Sequence, residues 1–444
     1  MTLRFSFALA LSVTAAFAAD TAPATFSKDV LPILQQNCQT CHRPGEMAPM
    51  SLLTYTDARP WAKAIKAAVV TQKMPPWFAD PNVGHFRNER RLNAKEIATL
   101  SAWADNGAPE GNPKDAPAPV KFNDGWNLKP DMIVEMPNEF HVPASGAIDY
   151  QYMLVKGNFP EDVWVTGAEM RAGNSRVVHH GEVWVRPPQS KWMRDAEPGV
   201  AYSNGEMRRS STEGNDIIGK FTPGIGAQDF TLGGAAKLIP KGSDLVFEIH
   251  YTSVGTSQTD RTKVGFVLSK TQPKLRYVTG YGPSANNLVI PAGDGNAEVV
   301  SEITAQDDVT LAYVQPHMHL RGKDYEVRVI YSSGESETVF RGKFDFNWQF
   351  GYELSKPVQL HKGDRLVGVA HFDNSANNAF NPDPTKEIVW GPQNWDEMQN
   401  CFMGLLIDVK TDPAKIFKPT GPSVQKRVPG QAGPTLSALE VVPR

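Results

Sequence analysis

The chain has 444 residues, 41% hydrophobic and 21% charged, with a formal net charge of −3 at pH 7. These figures exclude a disordered chain and give no electrostatic reason to expect nucleic acid or an anionic membrane as a partner. The length exceeds one ordinary hydrophobic core and predicts two to four domains, while 36 glycines and 35 prolines favour loop-rich β structure over a helical bundle.

The first residues read as an export signal. Arg4 supplies a positive charge, Phe5 to Phe17 an apolar run too short to cross a bilayer, and Ala16-Phe17-Ala18 a small-x-small cleavage site. Residues 1–18 are therefore expected to be a signal peptide, with a retained anchor as the other reading. The mature protein is expected to be periplasmic or secreted, with no stable membrane span. Export permits disulfides, yet only three cysteines are present and two of them share one motif. Cys401 is left without a partner, so the cores themselves must hold the fold.

Residues 26 to about 108 have helical texture, within an expected domain of residues 19–110. Val30, Ile33 and Leu34 recur at helical spacing. Asn93 with Glu96 predicts a capping box that opens a helix through Ile97, Leu100 and Trp103, stopped by Gly107. Between them lies Cys38-Gln39-Thr40-Cys41-His42. Two thiols at this spacing add to the two vinyl groups of a haem, and the adjacent His42 ligates the iron from the same turn. A redox dithiol or half a zinc site is the alternative, but no second cysteine pair exists to complete the latter. Met74, in Lys73-Met74-Pro75-Pro76-Trp77, is the expected sixth ligand, with Met47, Met50 and His85 competing. The segment resembles the small c-type cytochrome domains fused to other exported bacterial enzymes, down to His42-Arg43-Pro44-Gly45 and Trp103-Ala104-Asp105-Asn106-Gly107. A small all-α domain holding one covalent haem c through Cys38, Cys41, His42 and Met74 is the expectation.

Residues 111–119 (Gly-Asn-Pro-Lys-Asp-Ala-Pro-Ala-Pro) read as a linker. Beyond it, Val177 to Val185, Asp244 to Tyr251, Thr310 to Val314, Tyr325 to Tyr331 and Arg365 to Val369 read as strands between turn residues. Many short strands with long links predict jelly-roll layers, divided into residues 120–275 and 276–411 at a seam within 270–283. Residues 412–444 read as an extended tail.

Of ten histidines, five fall in three strand-like contexts: His179-His180, His250, and His317-Met318-His319. A lone strand histidine is usually a core or surface residue, but His317 and His319, two apart, leave one face and can share a metal. His179 and His180 would point to opposite faces, so sharing one ion demands a bulge, bend or strand end. His371 sits in a strand between the later motifs and is not counted as a ligand; His85, His141 and His361 read as loop histidines.

Residues 120–410 resemble the copper type II, ascorbate-dependent monooxygenases, the group of peptidylglycine α-hydroxylating monooxygenase and dopamine β-monooxygenase. The pieces that carry the resemblance are Val178-His179-His180, Ile249-His250-Tyr251, His317-Met318-His319-Leu320-Arg321-Gly322-Lys323 and Asp396-Glu397-Met398. It implies two jelly-roll domains with one copper ion each. His179, His180 and His250 would hold the electron-transfer copper. His317, His319 and Met398 would hold the catalytic copper, where oxygen and a substrate C–H bond react. Thioether with imidazole suits copper, whereas three histidines alone suit zinc equally well, so Met398 decides the metal, with Met403 as rival. Cys401 without a partner and Glu248 beside His250 depart from the family pattern, and no substrate-recognition residue is matched. The expected function is an O2-dependent monooxygenase of a small-molecule or peptide substrate. Its electrons would come through the cytochrome segment from an ascorbate-like reductant or a periplasmic redox protein. A non-catalytic electron-transfer or copper-holding protein, and zinc-assisted hydrolysis, are the alternatives.

Overall fold

The structure, a computed structural model, describes residues 23–46, 48–122, 125–203, 216–222, 225–419 and 424–426. The expected signal peptide, Met47 and most of the tail lie outside the described residues. Strands predominate, and no described helix is long and apolar enough to cross a membrane.

The helical segment contains α1 (Leu31–Asn37), α2 (Tyr55–Ala58), α3 (Ala62–Val70) and α4 (Ala94–Asp105). The capping box is formed: Asn93 accepts from the Glu96 main-chain N–H and Glu96 reaches back to that of Asn93. The apolar stripe of α4 buries Leu100 and Trp103 against Val30, Leu34 and Ile65, and the Trp103 indole donates to the Pro109 carbonyl at 3.0 Å. The expected linker starts from a stretch tied to this segment, since Phe26 and Ser27 donate to the carbonyls of Pro109 and Glu110.

The strands expected from the sequence are present within three residues of their starts, and most run further: Val178–Arg186, Asp244–Tyr251, Val309–His317, Gly322–Ile330 and Arg365–Phe372. A nine-stranded sheet runs through both halves of the β region. In the first half it carries Met132–Glu135, Lys263–Leu268, Val163–Arg171 and Ala235–Ile239, and faces a five-stranded sheet that includes Val178–Arg186 and Asp244–Tyr251. In the second half it continues as Leu275–Tyr281, Asn400–Asp408, Val309–His317 and Tyr352–Leu360, and faces a six-stranded sheet. Each pair of sheets encloses an apolar core. The expected seam is itself a strand: Leu275–Tyr281 pairs in parallel with Ala235–Ile239 and antiparallel with Asn400–Asp408.

The stretch after Met74 leaves the helices and enters the second β core. Trp77, Ala79 and Phe86 are buried there with Phe340, Phe350 and Tyr352. Ala79 bridges to Gly342 and Phe86 to Leu354, Arg87 pairs with Glu353 at 2.9 Å, and Asn88 donates to the Gly351 carbonyl. Gly84 makes the turn at φ +69°, where a Cβ would stand 2.6 Å from the Val339 carbonyl. On the other side, Arg43 donates to Asn127 and to the Gly125 carbonyl, and Glu46 pairs with Arg171 at 2.7 Å. The helical segment is therefore docked on both β halves. Phe86→Ala should cost about 3–5 kcal/mol, as large-to-small changes in a core do. That loss would appear as a lower guanidinium midpoint, while His85→Ala, on an exposed side chain, should leave the midpoint within about 0.5 kcal/mol. Equal midpoints for the two variants would show that the docked stretch does not stabilise the second core.

Candidate metal centres

The first cluster depends on an irregularity in the pairing of Val178–Arg186 with Asp244–Tyr251. His250 lies opposite His180 but Tyr251 lies opposite Val178, so His179 is an extra, unpaired residue. This is the bulge that the His179-His180 spacing requires, and it turns both rings to one side. His179, His180 and His250 each offer a ligand atom within 4.8 Å of the others. The Nδ1 atoms of His179 and His180 stand 3.0 Å apart, as do two nitrogens each about 2.0 Å from a shared ion. The buried Nδ1 of His250 has no hydrogen-bond partner, a cost a metal would remove.

Tyr150 completes the cluster. Its hydroxyl lies 2.9 Å from His180 Nε2, and its ring stacks on His250 with centroids 4.6 Å apart. With Nε2–H donated to Tyr150, His180 keeps its Nδ1 lone pair for a metal. Burial lowers the pKa of His179, lowers that of His180 well below the ordinary value and lowers that of His250 to about 4. All three imidazoles are therefore neutral at pH 7, as ligands must be. Glu248, unexpected from the family pattern, points away into an aromatic layer, where it accepts from the Trp184 indole at 2.7 Å and the Tyr152 hydroxyl at 3.2 Å.

The second cluster forms where Val309–His317 ends beside Asn400–Asp408. His317 lies opposite Asn400, and the rings of His317 and His319 are 5.3 Å apart. His317 Nδ1–H donates to Gln349 Oε1 at 2.6 Å, leaving Nε2 as the acceptor. The ring of the buried His319 lies near the main chain of Asp396 and Gln393, but neither nitrogen makes a full hydrogen bond. Burial takes the pKa of His317 to about 4 and that of His319 well below its ordinary value. A fully buried carboxyl group, that of Glu397, gathers the chain around them. It accepts from the main-chain N–H of His319 at 2.8 Å, Arg321 at 2.6 Å and Met398 at 3.2 Å. Burial raises its pKa to about 8 against these donors. Met398 is thus held beside His319 and half-buried, with Asn400 Nδ2 3.5 Å from its sulfur. The rival Met403 is in the apolar core.

The remaining candidates fall elsewhere. His371 pairs with Asp324 at 2.6 Å and Glu298 at 3.5 Å, and His361 with Asp308. His141 is exposed in the edge strand Phe140–Val142. His85 is exposed, and its carbonyl accepts from Ser355 of the second β half. In the helical segment, Cys41 and His42 donate to the Cys38 carbonyl at 3.1 and 2.9 Å, closing a tight turn. His42 Nδ1 lies 3.3 Å from the Met50 carbonyl. Tyr150, Gln349, Phe346 and the role of Glu397 were not foreseen. Only Glu397 had a signal, its place between Asp396 and Met398.

Neutral, largely buried imidazoles gather where β strands bulge or end, an arrangement that can hold a metal ion in a β protein. Residues 286–411 match the family described as copper type II ascorbate-dependent monooxygenase, C-terminal domain. The protein is a copper-dependent monooxygenase, an oxidoreductase. The match includes His317, His319 and Met398; the three-histidine cluster lies before it. No curated protein matches the chain. Among solved structures, PNGase F, a glycosylasparaginase from Flavobacterium meningosepticum, is 8% identical over 65% of this chain and 100% of that chain, at a TM-score of 0.24. The infectious bursal disease virus VP2 subviral particle is 9% identical over 69% of this chain and 78% of that one, at 0.20. Superpositions this poor define no common fold.

Tyr150→Phe keeps the ring stacked on His250 and removes the hydroxyl from His180. It should weaken copper at the three-histidine cluster about 10–100-fold, as loss of a ligand's outer hydrogen bond does. Competition with a chelator of known affinity measures this, and an unchanged affinity would remove Tyr150 from the site.

Proposed function

We propose that this chain is an exported haem- and copper-dependent monooxygenase that hydroxylates a C–H bond of a small-molecule or peptide substrate with O2, its helical segment being a c-type cytochrome domain that supplies electrons. The observation that carries the reading is the three-histidine cluster of His179, His180 and His250, with a second pair of imidazoles, His317 and His319, inside the matched segment. A copper ion supplies the one-electron chemistry with O2. His179, His180 and His250 would hold the electron-transfer ion, and His317, His319 and Met398 the ion at which substrate is oxidised. Gln349 and Tyr150 fix which imidazole nitrogen is free, and Glu397 keeps His319 and Met398 in place. The two-sheet layering of each half suits the paired jelly rolls that the resemblance implies.

For haem, the fit rests on the turn. An axial histidine directs its other N–H to a carbonyl, and the Met50 carbonyl stands at His42 Nδ1. Met74 would be the sixth ligand, as the sequence reading has it. Burial raises the Cys38 thiol to about 12 and raises that of Cys41, which opposes a reactive redox dithiol, whose attacking thiol must ionise readily. Export to the periplasm or outside the cell rests on residues 1–18 and on the haem motif. A periplasmic redox protein, or an ascorbate-type reductant, is the external donor.

Purified protein should contain one covalent haem and two copper ions, and should consume O2 with a reductant and a hydroxylatable substrate. Met398→Ala should remove sulfur scattering from the Cu(I) X-ray absorption spectrum and most oxygen uptake while the three-histidine cluster stays loaded. Zinc at both clusters, or no hydroxylated product across a broad substrate screen, would leave the reading without support. Met74→Ala should abolish the Met–Fe charge-transfer band and lower the haem reduction potential; an unchanged spectrum moves the sixth ligand elsewhere.

A further inference from the structure

One loop, residues 344–351 between Ser336–Lys343 and Tyr352–Leu360, touches the helical segment and both histidine clusters. The Phe346 ring stacks on His179 at 5.1 Å and 23°, and stands edge-on to His319 at 6.5 Å. Gln349 holds His317 through its side chain and accepts from Gln315 Nε2 at 2.9 Å through its carbonyl. Phe350 packs on Trp77 at 6.4 Å and Phe78 at 6.2 Å, with the Arg90 guanidinium 5.0 Å above its ring. The loop is braced internally: Gln349 Nε2 donates to the Phe346 carbonyl, and Trp348 stacks on Phe350.

The Cys38–His42 turn faces the same place. Thr40, between the two cysteines, lines a cavity of about 280 Å³ whose walls include Arg90, Phe350 and Tyr313. From Tyr313 a hydrogen-bonded chain runs inward: its hydroxyl donates to Gln315 Oε1 at 2.9 Å, Gln315 to the Gln349 carbonyl, and Gln349 receives His317. No comparable set of contacts joins the helical segment to His180 or His250 among the described residues.

We propose that loop 344–351 is the electron junction of the molecule: electrons from the haem segment reach the His317 cluster first, through Phe350 and Gln349, and the three-histidine cluster through Phe346. The proposal rests on the haem and copper reading above. In each transfer a ferrous haem becomes ferric and one cupric ion becomes cuprous; no bond or proton moves. The external reductant then restores the ferrous haem for the second electron of a turnover. Phe346 and Gln349 are positioning residues in this scheme, filling with packed side chains what would otherwise be a gap between centres.

The test uses the full chain, its haem and copper content first verified. The haem of Cu(II)-loaded protein is flash-reduced under argon. Reoxidation is followed in the haem band, and each cupric signal is followed by freeze-quench electron paramagnetic resonance. Phe346→Leu should slow reduction of the three-histidine cupric ion at least tenfold and leave that of the His317 cluster unchanged. Phe350→Leu, a conservative change at the docked face, should slow both. Both cupric spectra should match wild type before reduction, which separates a broken contact from a distorted ligand set. Wild-type kinetics in Phe346→Leu, equal slowing at both clusters, or an altered three-histidine spectrum in that variant would each overturn the proposal. A chain without covalent haem would overturn the haem reading and this proposal together; a fully loaded chain with unaffected kinetics would overturn this proposal alone.

Discussion

Two residue pairs, Ala235 with Leu275 and Ala236 with Arg276, join the two β halves in parallel and make one nine-stranded sheet of them. Had the seam been a flexible connection, the halves would have met as separate domains with freedom to move. Instead Tyr277, Ala312 and Leu406 of the second half lie in the core of the first. The junction is fixed by charge as well. Lys237 Nζ lies 2.8 Å from Asp216 Oδ1, and the same oxygen accepts from the Thr279 main chain at 2.9 Å. A buried pair of this kind is weak evidence for stability, because desolvation offsets the attraction. Its effect here is geometric, since one carboxylate ties the five-stranded sheet to both sides of the seam. With that relation set, a single loop can bridge the two histidine clusters, and the ring contacts of Phe346 leave His179 and His319 no farther apart than the sum of 5.1 and 6.5 Å.

Dryness supplies the rest. Burial removes the protons that would otherwise compete with a cation for the five imidazoles. It also makes an unpartnered nitrogen such as His250 Nδ1 costly. The partners that do exist act on the far side of the rings: Tyr150 on His180, Gln349 on His317. Lys220, fully buried nearby, is engaged by Glu182 at 3.4 Å and Gln315 at 3.2 Å and sits 3.4 Å over the Phe402 ring. Its charge adds to the burial that keeps His317 neutral.

The histidines were legible in the sequence because ligands come as residue types at spacings that strand geometry restricts. His317 and His319 satisfy period two, and His179-His180 violates it in a way that forced the expectation of a bulge. The strands were legible for the same reason. The groups that orient the ligands were not. Tyr150, Gln349 and Phe346 act across chain separations of roughly thirty to more than a hundred and fifty residues, and no local pattern distinguishes a tyrosine at an imidazole from one in a core. The segment Lys270 to Pro283 was read as a seam between two β domains. Its middle, Leu275–Tyr281, pairs through long-range contacts that sequence periodicity does not reveal.

The docking of the helical segment bears on how it is tethered. A proline-rich linker of nine residues, 111–119, suggests placement by stiffness and by effective concentration. The structure adds a second constraint that acts on a different part of the segment. Trp77, Ala79 and Phe86 are buried in the second β core, and apolar burial at about 25 cal/mol per Å² makes two aromatic side chains worth several kcal/mol. Arg43 and Glu46 hold the other end to the first half through Asn127 and Arg171. A segment held at two places on a rigid sheet does not sample the volume its linker allows. The placing of its Cys38–His42 turn at the cavity that Tyr313 and Phe350 also line is therefore a property of the folded chain, set by packing, and the linker has only to be long enough not to oppose it.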